Sequence, residues 1–266
     1  MKSRARNLWW LLLASIVLTF FIVGIAEASH SWGGYHWARS SNPFTLKLGD
    51  NVSTVWKNSL NIASADWSLS NILGTNIVPG MSNSRNCKPA SGRVEVCSSA
   101  YGNTGWLGVA QIWVSGSHIT QGTVKVNDTY FKTPTYNTPA WRQFVMCQEI
   151  GHTFGLDHQD EDFSNPNLGT CMDYTNDPAR DDGVGTNLHP NQHDQDQLAL
   201  IYAHFDAATT IRSSAKGNAA EIDAEDVSTP DQWGREVRKS KDGRSSLLER
   251  DLGKGKKVFT FVIWAQ

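Results

Sequence analysis

The run Gln148-Glu149-Ile150-Gly151-His152-Thr153-Phe154-Gly155-Leu156-Asp157-His158 limits this chain more than any other stretch of it. Read as a helix, it puts position 148 over His152, because residues four apart share a face, with Glu149 beside them. Glycine tolerates the backbone of a sharp turn, so Gly155 would let the chain double back and bring His158 to the same point. Two imidazoles one turn apart, with a glutamate beside the first, are how a helix grips Zn²⁺ and sets a general base next to a metal-bound water. Here the first of those positions is Gln148 instead of histidine. An amide oxygen is a neutral, weak donor, whereas imidazole suits zinc well. The replacement is therefore expected to weaken metal binding without abolishing the Lewis acidity of a bound ion. Three arrangements stay open: Gln148 ligates through its side-chain oxygen, another histidine takes the place, or the site has decayed. Candidates for that histidine are His30, His36, His118, His189 and His193, of which His189 and His193 follow the Met172 stretch most closely.

The chain begins like an exported protein. Lys2, Arg4 and Arg6 precede an apolar run from Leu8 to Ile25, and Ala26-Glu27-Ala28 is an A-x-A cleavage site. Residues 1–28 read as a signal peptide, with the mature chain starting near Ser29 and secreted. An uncleaved membrane anchor is the alternative, since the apolar run approaches spanning length. Removing residues 1–28 takes away three positive charges (Lys2, Arg4, Arg6) and one negative (Glu27), which moves the formal net charge from −2 to −4. So mildly acidic a chain has no electrostatic basis for binding nucleic acid or, after cleavage, an anionic membrane. The expected partner is a protein or peptide substrate, met by a monomer.

Cys87, Cys97, Cys147 and Cys171 all follow the signal, an even number suited to an oxidising compartment. Three pairings are open from sequence. Cys87–Cys97, closing a short loop, and Cys147–Cys171 are favoured, because Cys147 abuts the motif and Cys171 directly precedes Met172. Neither pair has the C-x-x-C spacing of a zinc ribbon.

Hydrophobic residues make up 39% of the chain and include 11 Trp, enough for a large core. Ser29 to Ser41 reads as an N-terminal extension. Phe44 to Leu48 alternates like a half-buried strand. Caps at Asp50 to Ser53 lead into a long helix through Leu60, Ala63 and Trp67. Short strands follow at Asn76 to Val78, Val94 to Cys97, Trp106 to Val114 and Gly122 to Val126. Thr138-Pro139 starts the motif helix, with proline at a first-turn position. Asp160 to Gly185 reads as loop, and a third helix covers His193 to Phe205. Residues 29–207 thus form one domain. Residues 208–266 read as a polar tail, weakly structured to Asp251, ending in a strand pattern over Lys257 to Trp264 that either docks on the domain or offers a partner-binding edge. Asn51 and Asn127 open glycosylation sequons.

With Thr170-Cys171-Met172-Asp173-Tyr174 after the helix motif, the chain resembles the metzincin clan of zinc metalloproteases, in its matrixin and astacin-like branches, over roughly Pro43 to Phe205. The resemblance implies an α+β zincin-like fold: a mixed twisted sheet with two long helices and a closing C-terminal helix. It implies Zn²⁺ held by His152 and His158 with Gln148 in the first ligand's place, Glu149 as general base, Met172 as an apolar floor and Tyr174 near the metal. It also implies that Trp106 to Val114 is an edge strand pairing with an extended substrate. The chain departs from the family in Gln148, in Gln159 after the last histidine, and in having no cysteine-switch propeptide. A secreted zinc endopeptidase is the expected activity. A catalytically inactive binding module on the same scaffold is the alternative.

Overall fold

The computed structural model describes residues 30–211 and 229–266. The expected signal, residues 1–28, lies outside the described residues. Among the described residues no helix is long and apolar enough to cross a membrane.

Alternation decides the first strands. In β2 (Phe44–Asn51), Phe44, Leu46 and Leu48 turn inward and Thr45 outward. β2 runs parallel to β3 (Leu73–Pro79) on one side and to β4 (Val94–Ser99) on the other. Between β2 and β3 lies helix α1 (Lys57–Trp67), which buries Leu60, Ala63, Ser64 and Trp67, the one-sided spacing of an amphipathic helix. Strand β5 (Trp106–Ser115) turns back through Gly116-Ser117 into β6 (His118–Asn127), and β6 pairs in parallel with β4. Helix α2 (Pro139–His152) starts where expected: Thr138 accepts a hydrogen bond from Trp141 N, with Pro139 next to it. Helix α3 is Gln192–Ile201, opened by a capping box between Asn191 and Asp194. It stops short of the expected Phe205, which is exposed beyond it.

Four differences from the sequence-based expectation matter. The segment after Ser29 is no loose extension. His36–Trp37 forms a short strand, β1, parallel to the start of β6, and Trp32 and Trp37 are buried in the main core. Two residues carry no periodicity, so their pairing was invisible. The described part of the tail from residue 229 on is also structured: β7 (Arg235–Lys239), β8 (Ser245–Gly253) and β9 (Lys256–Trp264) extend the sheet, whose order is β3-β2-β4-β6-β5-β9-β8-β7. β7 is mostly exposed and charged, as an outer strand must be to avoid pairing with other chains, and that polarity imitates disorder. The fold is thus α+β with a sheet-dominated core, and the α-helices among the described residues are of moderate length, 11, 14 and 10 residues. Lastly, Asn127 is fully buried, with its amide donating to Gly102 O and Thr104 Oγ1, so its sequon cannot take a glycan.

The run Trp106 to Ser115 is apolar because both faces of β5 are covered, as in any strand buried on two sides. Leu107, Ala110 and Ile112 join the main core, while Trp106, Val109 and Trp113 join a second cluster with Trp233, Val258 and Val262. β5 is therefore not an edge. β9 pairs with it antiparallel from Trp106 to Ser115, and the expected substrate edge is filled by the protein's own C-terminal strand. The pattern at Lys257 to Trp264 docks on the domain.

Candidate metal centre

The last turn of α2 carries Gln148, Glu149 and His152, each at most 1% exposed. After it the chain reverses at Gly155, whose φ is +98°, and a Cβ there would stand 2.3 Å from the Tyr35 carbonyl oxygen. Both facts require glycine. The reversal brings His158 over His152, with ring centroids 4.5 Å apart and planes at 83°.

The lone pairs of this cluster are set by its neighbours. His152 Nδ1 lies 2.9 Å from the Leu156 carbonyl. A carbonyl only accepts, so Nδ1 carries the proton and Nε2 keeps its lone pair. Gln148 Nε2 donates to the Cys171 carbonyl at 3.0 Å, which leaves Gln148 Oε1 without a hydrogen-bond partner among the described residues; Glu149 Oε2 and His158 Nε2 share that state. Buried polar atoms are seldom left so. Burial, with His158 beside it, holds the His152 imidazole well below its usual pKa and therefore neutral. Burial also pushes the Glu149 carboxyl well above the usual carboxylate range. Glu149 lies against β5, where a Cβ on Gly108 would come within 2.6 Å of its Oε1.

Beneath the helix, Met172 packs against Gly151, where a Cβ would meet Met172 Sδ at 2.6 Å. The turn holding it is tied down by Met172 N donating to Thr170 Oγ1 and by the Cys147–Cys171 disulfide. Cys87–Cys97 is the second disulfide, so both favoured pairs form. The Tyr174 ring stacks on Phe163 and tilts against His158, with centroids at 4.4 and 4.2 Å. Burial holds its hydroxyl well above the ordinary phenol range.

Sequence reasoning missed the cover over this cluster. Phe261 of β9, in register with Ala110 of β5, stacks flat on His152 with centroids 4.0 Å apart and planes at 11°. Trp32 Nε1 donates to the His152 carbonyl. Arg238 of β7 makes a bidentate pair with Asp157 and reaches Glu161 Oε1 at 3.0 Å. Arg244, just before β8, lies over the Phe163 ring at 3.7 Å. The only signal in the sequence was the strand pattern of β9, and nothing in it named the partner.

None of the five candidate histidines fills the place of the missing imidazole, and neither does His204, which meets His36 and Asp206. His30 Nε2 meets Asp194 and its ring stacks on His193. His189 Nδ1 meets Asp66. His36 and His118 meet Asp206. Asp157, His158 and Glu161 offer ligand atoms within 4.8 Å of one another, but Arg238 engages both carboxylates, which makes that group an ion-pair cluster. Around the His152 ring, Gln148 Oε1 and His158 Nε2 are left without hydrogen-bond partners, an oxygen and an imidazole of kinds that, with His152 Nε2, suit Zn²⁺.

No protein-family model matches the sequence, and no curated protein matches it. Among solved structures the chain is similar to high choriolytic enzyme 1, a hatching-enzyme zinc protease from the medaka Oryzias latipes. That likeness has 10% identity and a TM-score of 0.35, and it covers 65% of this chain and 96% of the other. Two structures of myroilysin are each 14% identical, with TM-scores of 0.30 and 0.32, covering 67% and 66% of this chain and 88% and 83% of theirs. At such TM-scores the functional reading rests on the site's own geometry.

Proposed function

We propose that the protein is a secreted zinc-dependent endopeptidase whose own C-terminal strand lies in the peptide-binding position. The observation that carries this reading is the set of unsatisfied buried acceptors at the end of α2. The Leu156 and Cys171 carbonyls take the donor atoms of His152 and Gln148; this leaves Gln148 Oε1 unpaired, as are Glu149 Oε2 and His158 Nε2, and frees His152 Nε2 to act as an acceptor. Gln148 Oε1, His152 Nε2 and His158 Nε2 would hold Zn²⁺. When bound, the ion supplies Lewis acidity to a water and to the scissile carbonyl. Glu149, kept protonated by burial in the closed site and favoured in its ionised form only beside a bound cation, would take the water's proton through Oε2 and pass it to the leaving amine. Tyr174, whose ring packs against His158, is the proposed hydrogen-bond donor to the developing oxyanion. β5 aligns the peptide: β9 shows that an extended antiparallel segment fits against it, with an aromatic side chain over His152.

The test compares the full protein with Glu149→Ala, each with and without a Phe261→Gly change that uncovers His152. Chelator-sensitive cleavage of denatured protein, strongest with Phe261→Gly and lost by a factor on the order of 10²–10⁴ with Glu149→Ala, supports the reading. Cleavage that persists undiminished without Glu149 overturns it. A second reading is a non-catalytic scaffold, favoured by the closed β5–β9 pairing; it expects no cleavage from any of the four proteins in excess zinc.

A further inference from the structure

A second group of histidines stands where the functional reading makes no use of it. His36 on β1 and His118 at the start of β6 are register partners. Beyond α3 the chain brings His204 and Asp206 against them. Asp206 Oδ1 lies 3.1 Å from His118 Nε2, 3.4 Å from His36 Nε2 and 3.6 Å from His204 Nε2, and the Nε2 atoms of His204 and His36 are 3.2 Å apart. From this geometry we propose a second, structural zinc site with His36, His118, Asp206 and His204 as ligands.

Three features point to a cation. The first is spacing. Ligand atoms at 2.0–2.1 Å from a tetrahedral zinc stand about 3.3 Å apart, and these four of the six separations bracket that value; His36, His118 and Asp206 keep their ligand atoms within 4.8 Å of one another, and His204 joins them through His36 and Asp206. The second is orientation. His36 Nδ1 lies 2.9 Å from the Gly34 carbonyl, so it carries the proton and leaves Nε2 as a lone pair; a carbonyl held on the far nitrogen in this way readies a histidine for metal. Asp206 Oδ2 accepts from Arg39 N and Arg39 Nη1, each at 3.1 Å, which turns Oδ1 towards the imidazoles. The third is a clash of lone pairs. With its proton on Nδ1, His36 turns the bare Nε2 to Asp206 Oδ1 at 3.4 Å, so that two acceptors face each other. A cation between them removes that clash. Three imidazoles and one carboxylate are borderline donors that match zinc.

The site would act as a clasp. His36 and Asp206 are nearly buried while His118 and His204 are 38% and 58% exposed at the side chain, so an ion can enter from solvent. Its ligands join β1, the β5–β6 hairpin and the exit of α3, three segments far apart in sequence. β1 is two residues long, and the stretch before it delivers Trp32 to the backbone of His152. Pinning β1 therefore holds part of the wall around the first centre.

The test is a difference in metal content. The protein and its His118→Ala/His204→Ala variant are dialysed side by side against micromolar zinc and analysed for zinc per chain. The variant is expected to hold one ion fewer and to lose most of the zinc-dependent rise in melting temperature. Equal zinc content overturns the proposal. Because the readout is a difference, it stands whether or not the Gln148 centre binds metal or cleaves peptides. Should the variant fail to fold, acylation of the unaltered protein with a histidine reagent answers the same question. Zinc is expected to slow modification of His118 and His204 at least ten-fold by mass mapping, and unchanged modification overturns the proposal.

Discussion

The two histidine clusters are built in opposite ways. Gln148, His152 and His158 come from one helix and the turn after it, and all are buried. His36, His118, His204 and Asp206 come from three distant segments and leave two imidazoles partly open to solvent. A helix end can present a metal face from a single stretch of sequence, but that face is polar and must be covered or filled. Here β9 covers it with Phe261. A cluster at the rim of the sheet needs no cover, yet exists only if all three segments arrive. The first cluster is therefore local to read and remote to open. The second is remote to read and open already.

The largest way to break that contrast is Phe261→Ala. Removing a buried phenylalanine costs about 3–5 kcal/mol, and it also uncovers His152. Chemical denaturation should register the loss, and chelator access to zinc at the first centre should quicken until it approaches that of the rim site. If access is unchanged, Phe261 is not the cover. Next is the Cys147–Cys171 bridge, whose cysteines are 24 residues apart. Replacing both with alanine should cost about 3 kcal/mol by loop entropy, and it should also release the Cys171 carbonyl that orients Gln148, lowering metal affinity at the first centre only. Gln148→His sharpens the contrast from the other side. Changes in the outer shell alone move metal affinity roughly 10–100-fold, so supplying an imidazole ligand should raise zinc affinity at least ten-fold, read by competition with a chromogenic chelator. No gain would place residue 148 away from the ion. The smallest effect is expected from Arg238→Ala. Its pairs with Asp157 and Glu161 are partly exposed, so about 1 kcal/mol is expected, mostly from leaving Asp157 unpaired. Hydrogen exchange should show β7 loosening before the rest of the sheet.

Strands β2 to β6 were legible because each alternates or runs apolar between turn residues, and α2 because cap, proline and glycine mark both ends. β1 was not, being two residues that pair in parallel with a strand some eighty positions away. β7 and β8 were not, because an outer strand keeps its charges and looks like tail. β5 was read correctly as a strand and wrongly as an edge. An apolar run says that both faces are buried but is silent about what lies along its hydrogen-bonding side.

By itself the sequence determined the spacing of Gln148, Glu149, His152 and His158, and the turn at Gly155 that only glycine allows. Those are properties of neighbouring residues, set by helical period and backbone sterics. Only the tertiary structure decided that β9 fills the flank of β5, that Phe261 lies on His152, and that His36, His118, His204 and Asp206 meet. Those contacts join positions whose separation along the chain carries no period, so they exist only once the sheet has closed around them.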